Sequence, residues 1–174
     1  MKAKNMALCA LFAGSLAICA WLSLPVGDIA YTLQTFGVFL ALGILGGKQG
    51  TVAILVYLLL GAVGLPVFSG FRGGPGILFG VTGGYILGFL AAGLVYWGMT
   101  AWKNTSSIRL IAMLAGLLAC YCFGSVWFWG IYLSAGSTIG LGAVLLKCVV
   151  PYLLPDILKL ALAFWLSKKL SAFV

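Results

Sequence analysis

The last apolar stretch of the chain, VLLKCVVPYLLPDILKLALAFWL, is long enough to cross a bilayer, yet it carries Asp156 and, three positions on, Lys159. Only two acidic residues occur in the entire chain, and one of them stands where hydrocarbon belongs. Ionisable groups at membrane depth are expensive, and they face a bundle interior, a water-filled cavity or a substrate path. Any fold of this sequence must keep that helix face away from lipid.

Hydrophobic residues make up 64% of the chain and charged residues 7%, against roughly 45 to 50% and about 25% in soluble domains. This is the composition of an integral membrane protein. The 174 residues suffice for about six spans of about 20 residues each, with no length left for an extramembrane enzyme domain. Continuous apolar runs exclude a β-barrel, whose strands are short and alternate. The expected fold is all-α: one domain over 1–174, an integral membrane bundle of about six transmembrane helices.

Hydropathy and breakers predict helices near 5–25, 33–47, 50–66, 80–101, 108–133 and 143–167. LPVGDIAY, with Pro25, Gly27 and Asp28, makes the first break. GGKQG at 46–50 is a tight connection around Lys48 that turns helices two and three into a hairpin. The long LPVFSGFRGGPG from Leu65 to Gly76 holds glycines and prolines that cannot continue a helix. WKNTSS and the weaker SAGSTIG from Ser134 to Gly140 complete the set. The second helix is short for a full crossing, which points to tilt, a re-entrant element or local thinning.

Charge placement orients the bundle. With the N-terminus inside, Lys2, Lys4, Lys48, Lys103, Arg109, Lys168 and Lys169 lie on the cytoplasmic side, and the outer loops carry Asp28 and Arg72. Both termini are then cytoplasmic, and Lys147 snorkels to the outer surface. The formal charge of +8 is an orientation signal. Lysines scattered at membrane edges do not form the continuous basic surface, interleaved with aromatics, that nucleic acid requires. Lysines ahead of an apolar run also resemble a signal peptide, but the long run and the membranous remainder favour a first transmembrane helix.

The cysteines at 9, 19, 120, 122 and 148 sit in apolar stretches without CxxC spacing, as core-packing residues do. There is no histidine, and two distant carboxylates cannot assemble a zinc or di-iron site. Neither a catalytic metal nor a cofactor is expected. Three residues apart on one helix, Asp156 and Lys159 share a face and compensate each other's desolvation. Pro151 and Pro155 weaken the preceding turns and leave backbone carbonyls free beside the pair. Two readings follow, a structural ion pair or the polar floor of a substrate pocket.

Other features converge on a pocket. Thr32 and Gln34 open the second helix near the outer side, where an amide recognises both donors and acceptors. GFRGGPGILFGVTGGY carries Arg72, either a partner for a ligand carboxylate or a solvated loop arginine, into a glycine-rich helix start. Gly83 and Gly84 permit close backbone approach there, and Tyr85 supplies a rigid amphipathic wall. The stretch lacks GxxxxGK[ST] and is no phosphate-binding loop. In the first helix Ala3, Ala7, Ala10, Ala13, Gly14 and Ala17 form small-xxx-small spacings that suit close helix packing, within the bundle or against another membrane subunit. Without a Walker motif or soluble domain, active transport would draw its energy from a partner or an ion gradient.

DIAYTLQTFGVFLALGILGGKQG, VYLLLGAVGLPVFSGFRGGPGILFGVTGGYILGF and LLPDILK, in that order over nearly the whole chain, resemble the BioY family, the biotin-specific substrate-binding components of energy-coupling-factor transporters. The residue before TGGY is Val81, where the family more often carries proline. The resemblance implies a six-helix bundle in a prokaryotic plasma membrane that captures biotin on the outer side. It also implies partners: a transmembrane coupling protein and two cytoplasmic ATP-binding subunits. By resemblance, substrate binding falls to Thr32, Gln34, Gly83, Gly84, Tyr85, Asp156 and Lys159. For biotin as ligand, Arg72 or backbone donors would meet the carboxylate, and Tyr85 with Trp127 or Trp129 would form walls. The coupling face would include Ala10, Ala13, Gly14 and Ala17, with Ala13 and Ala17 the favoured pair. A solitary proton-coupled carrier, a carrier of a related vitamin and a noncatalytic assembly subunit stand as alternatives.

Overall fold

The computed structural model describes residues 3–24 and 30–170. Pro25, Gly27, Asp28 and Lys2, used above for the first break and for orientation, lie outside the described residues. In chain order the elements are α1 (Ala3–Trp21), β1 (Ser23–Leu24), β2 (Tyr31–Thr32), α2 (Gln34–Ala62), α3 (Pro75–Leu78), α4 (Gly83–Trp102), α5 (Ser106–Ser134), α6 (Leu141–Cys148) and α7 (Val150–Leu170). Among the described residues α1, α2, α4, α5 and α7 are long and apolar enough to cross a membrane. The all-α expectation gains one small addition, an antiparallel pair in which Ser23 faces Thr32 and Leu24 faces Tyr31.

The expected hairpin is present, but its turn is tighter than GGKQG suggested. Gly46 alone leaves helical geometry, at φ 79 and ψ 169, a region open essentially to glycine. The chain folds back there: a Cβ on Gly50 would lie 2.8 Å from Leu42 Cα, an approach impossible eight residues apart on a straight helix. Residues 34–45 and 47–62 therefore form two antiparallel arms. Lys48, expected at the centre of the connection, already belongs to the second arm.

Three further boundaries differ from expectation. Helix α1 stops at Trp21, short of 25, because the chain enters the β1–β2 pairing. The loop after α2 contains one helical turn, α3, begun by Pro75, whose fixed φ suits a first helical position. The last span divides at Val149, which holds φ −119 and ψ −54 between α6 and α7. Pro151 lacks the N–H that would bond back into α6, so helix is renewed rather than continued.

Helices α4 and α5 run antiparallel at close range. A Cβ on Gly88 would meet Cys120 Sγ at 2.9 Å, and one on Gly116 would meet Ala92 O at 3.0 Å. Small residues let backbones approach where lipid supplies no hydrophobic force between helices. The core joins Phe39, Leu42, Ile54, Tyr57, Phe68 and Phe128, all fully buried. At one end of the bundle Arg109 donates to Gly43 O and to the Tyr96 hydroxyl, and a Cβ on Gly43 would lie 2.6 Å from Ser167 Cβ. The opposite end carries the loops and a cleft.

Candidate functional site

The cleft is bounded by α2, α4, α5, α6 and α7 and measures about 870 Å³ with its open mouth. Small-molecule sites are apolar-walled with a few placed polar groups, and this cleft has that make-up. Phe39, Ile86, Phe89 and Leu117 line it, and Gln34, Tyr121, Asp156 and Lys159 supply the polar groups. Thr32, Ser69, Arg72 and Tyr152 also border the cavity.

The ion pair expected from spacing is formed. Lys159 Nζ lies 2.9 Å from Asp156 Oδ1, and Asp156 is only 6% exposed. Lys159 donates a second bond of 2.7 Å to Thr32 O. The Tyr121 hydroxyl donates to Asp156 Oδ2 at 2.7 Å. Both carboxylate oxygens therefore hold a protein donor, which offsets the desolvation of a buried charge. The carbonyl that Pro155 leaves without a helical partner is that of Pro151, four residues back, and the Tyr31 hydroxyl donates to it at 3.3 Å. Tyr31 also stacks on Tyr152, ring centroids 4.3 Å apart.

Gln34 is tied at both ends of its amide. Nε2 donates to the Tyr57 hydroxyl at 2.7 Å, and Thr32 Oγ1 donates to Oε1 at 3.1 Å. The Tyr57 hydroxyl in turn donates to Val67 O at 3.2 Å. Tyr85 lines the cleft, with its hydroxyl 3.1 Å from Ser125 Oγ. Its ring occupies the space that a Cβ on Gly124 would fill.

Other predicted residues take different places. Thr32, Gln34, Arg72, Tyr85, Asp156 and Lys159 come together on the cleft, with Arg72 Nε bonded to Ser69 O at 3.2 Å. Gly83 and Gly84 sit behind it: a side chain on Gly83 would strike Leu78 O, and one on Gly84 would strike Trp127. Close packing at the start of α4 leaves no room for a side chain at either position. Trp127 and Trp129, expected as walls, do not line the cleft, because their indoles are engaged in holding loops. Trp127 donates to Gly80 O at 3.1 Å and Trp129 to Ile139 O at 3.0 Å. Phe39 and Phe89 supply aromatic walls instead.

The small-residue face of α1 divides. Ala13 and Ala17, the favoured coupling pair, are 1% and 5% exposed and belong to the core. Ala3, Ala7, Ala10 and Gly14 stay on the exposed side. Packing of α1 on α2, with Leu16 and Cys19 against Gly37, selects which side turns inward. Residues that sequence reasoning missed are Tyr57 and Tyr121, tyrosines within apolar runs. The available signal was the hydroxyl itself, since a buried tyrosine usually finds a partner.

The family model described as the BioY family matches residues 1–174. The chain is 38% identical over 171 residues to the probable biotin transporter BioY of Pyrococcus horikoshii, covering 98% of each chain. It is 36% identical over 162 residues to the biotin transporter BioY of Thermotoga maritima, covering 92% of each. Its fold is similar to a crystal structure of the S-component for biotin from an ECF-type ABC transporter, with TM-score 0.84 and 26% identity over 97% of this chain and 91% of that one. A match over the full length and relatives of this identity admit one conclusion: the chain belongs to the BioY family.

Proposed function

We propose that this protein captures biotin at the membrane as the noncatalytic substrate-binding component of an energy-coupling-factor transporter. The observation that carries the reading is the buried Asp156–Lys159 pair, braced by Tyr121 and Thr32 at an apolar cleft, in a chain of this family. Biotin's ureido group offers two N–H donors and one carbonyl, a match for Asp156 as acceptor and Lys159 or Gln34 as donor. Its bicycle and aliphatic chain fit the walls of Tyr85, Phe39 and Phe89, and its carboxylate turns toward Arg72. Thr32 holds Lys159 and Gln34 in place. Gly83 and Gly84 contribute by seating α4 closely. No covalent chemistry is required.

Counting the arms of α2 separately, and α6 with α7, makes six passes in a single domain over 1–174. The first arm, residues 34–45, spans about 18 Å at 1.5 Å per residue, so it crosses tilted or where the bilayer is thin. Lys4, Lys48, Lys103, Arg109, Lys168 and Lys169 all fall at the helix ends away from the cleft mouth, which supports a cytoplasmic location for that end and both termini in a prokaryotic plasma membrane. ATP hydrolysis is supplied by two cytoplasmic subunits through a transmembrane coupling protein. The exposed strip containing Ala10 and Gly14 faces that partner. Ala13 and Ala17 support the strip from within.

Equilibrium binding to the purified, detergent-solubilised protein tests the reading, with dethiobiotin, thiamine and riboflavin as competitors and D156A as control. Saturable biotin binding, displaced poorly by thiamine and riboflavin and lost in a folded D156A protein, is expected. No binding by a folded parent would sink biotin as the ligand.

A further inference from the structure

Asp156 is held from two elements. Lys159, one turn along α7, reaches Oδ1 at 2.9 Å, and Tyr121, on α5 and 35 residues distant in sequence, reaches Oδ2 at 2.7 Å. The terminal torsion of an aspartate is broad, so a lysine on the same helix sets its charge but leaves the carboxylate plane free to swing. A second donor on the other oxygen removes that freedom. Tyr121 is 7% exposed and borders the same cleft. A phenylalanine would fill the same volume, so the hydroxyl is the part that matters to Asp156.

We propose that Tyr121 is a positioning residue for ligand recognition: its hydroxyl fixes the plane of the Asp156 carboxylate so that the lone pairs left by Lys159 and Tyr121 aim at an N–H donor of a cyclic urea. The proposal rests on the reading of this cleft as the biotin site. A carboxylate offers about four acceptor positions. With one on each oxygen occupied by protein, the remainder have fixed directions, and the ligand does not spend its binding free energy on orienting them. The neighbouring Lys159 is likewise immobilised by Thr32 O at 2.7 Å. The polar floor is thereby complete before a ligand arrives: among the described residues no buried side-chain nitrogen or oxygen lacks a partner. Tyr121 acts through Asp156, and the ligand's thiophane ring takes no part in its effect.

The test compares the parent protein, Y121F, D156N and Y121F/D156N, each purified whole, for binding of biotin and of dethiobiotin, which keeps the ureido group and lacks the thiophane ring. Y121F is expected to weaken both ligands by the same factor, about ten- to a hundredfold for a lost bond to a charged group, in protein that stays folded at the assay temperature. In the D156N background the same change should weaken binding less than about threefold, because coupled residues are non-additive. Y121F binding within twofold of the parent would overturn the proposal, as would unequal losses for the two ligands or a full loss repeated in D156N. Should Y121F not fold, recovery of folding in the double variant would support a carboxylate dependent on the hydroxyl, and failure to recover would assign Tyr121 to packing and overturn it. A folded parent that ignores biotin would remove the site reading as well, and that result appears in the parent alone.

Discussion

The Gln34 side-chain amide donates to the Tyr57 hydroxyl at 2.7 Å although the two residues are 23 apart in sequence, on opposite arms of α2. On a straight helix they would be separated by about 34 Å. Reversal at Gly46 brings them together, so the backbone of one glycine sets the position of a cleft amide.

Substituting Gly46 by alanine places a Cβ at φ 79, ψ 169, where non-glycine residues cost on the order of 1–3 kcal/mol. Space is not the obstacle, since nothing lies within 4 Å of the site. The melting temperature of G46A in detergent should fall, and biotin binding should weaken with it as Gln34 loses register with Tyr57. An unchanged melting curve would show that the hairpin turn tolerates a side chain.

Y57F removes the acceptor of Gln34 Nε2 and the donor to Val67 O while leaving the buried ring in place. A net hydrogen bond contributes about 0.5–1.5 kcal/mol, with more lost where a buried partner is orphaned. We expect biotin affinity to drop several-fold by calorimetry. A parent-like Kd would mean that Gln34 holds its orientation through Thr32 alone.

Alanine at Asp156 or Lys159 leaves the other charge buried without its partner, a loss of about 2–5 kcal/mol. Both variants should weaken biotin binding by about thirtyfold or more. D156A leaves the Lys159 ammonium in a cleft that also holds Arg72, with no carboxylate to offset it, so it should retain binding least. The comparison is made by displacement of labelled biotin from folded protein.

At Gly124 a Cβ would enter the Tyr85 ring, and Tyr85 has the cleft as the open direction in which to move. Overpacking of this kind costs typically 1–3 kcal/mol. G124A should narrow the cleft and reduce biotin affinity several-fold in protein that still folds. Full affinity in G124A would show that α5 shifts instead.

Two leucine substitutions on α1 separate its faces. A13L forces extra volume into a position 1% exposed and should destabilise the purified protein. G14L enters open space, so biotin binding should persist while ATP-dependent uptake by the assembled transporter falls. Normal uptake by G14L would place the coupling surface elsewhere.

What could be read directly from the residues was whatever depends on short range or on total apolar content. The all-α membrane architecture follows from long apolar runs, because a lipid-exposed backbone must bond to itself. The Asp156–Lys159 pair follows from i,i+3 geometry, and the freed Pro151 carbonyl from the missing N–H of Pro155; both are local. Tyr121 and Tyr57 were hidden because their partners lie on another helix and on the opposite arm of α2, 35 and 23 residues away, and packing alone brings them together. The inward side of α1 was hidden for a different reason. In a chain apolar on every face, core and lipid look alike, so Ala13 and Ala17 could be told from Ala10 and Gly14 only when α1 met α2. The same ambiguity set Trp127 and Trp129 as walls, when tertiary packing had given their indoles to the loop carbonyls of Gly80 and Ile139.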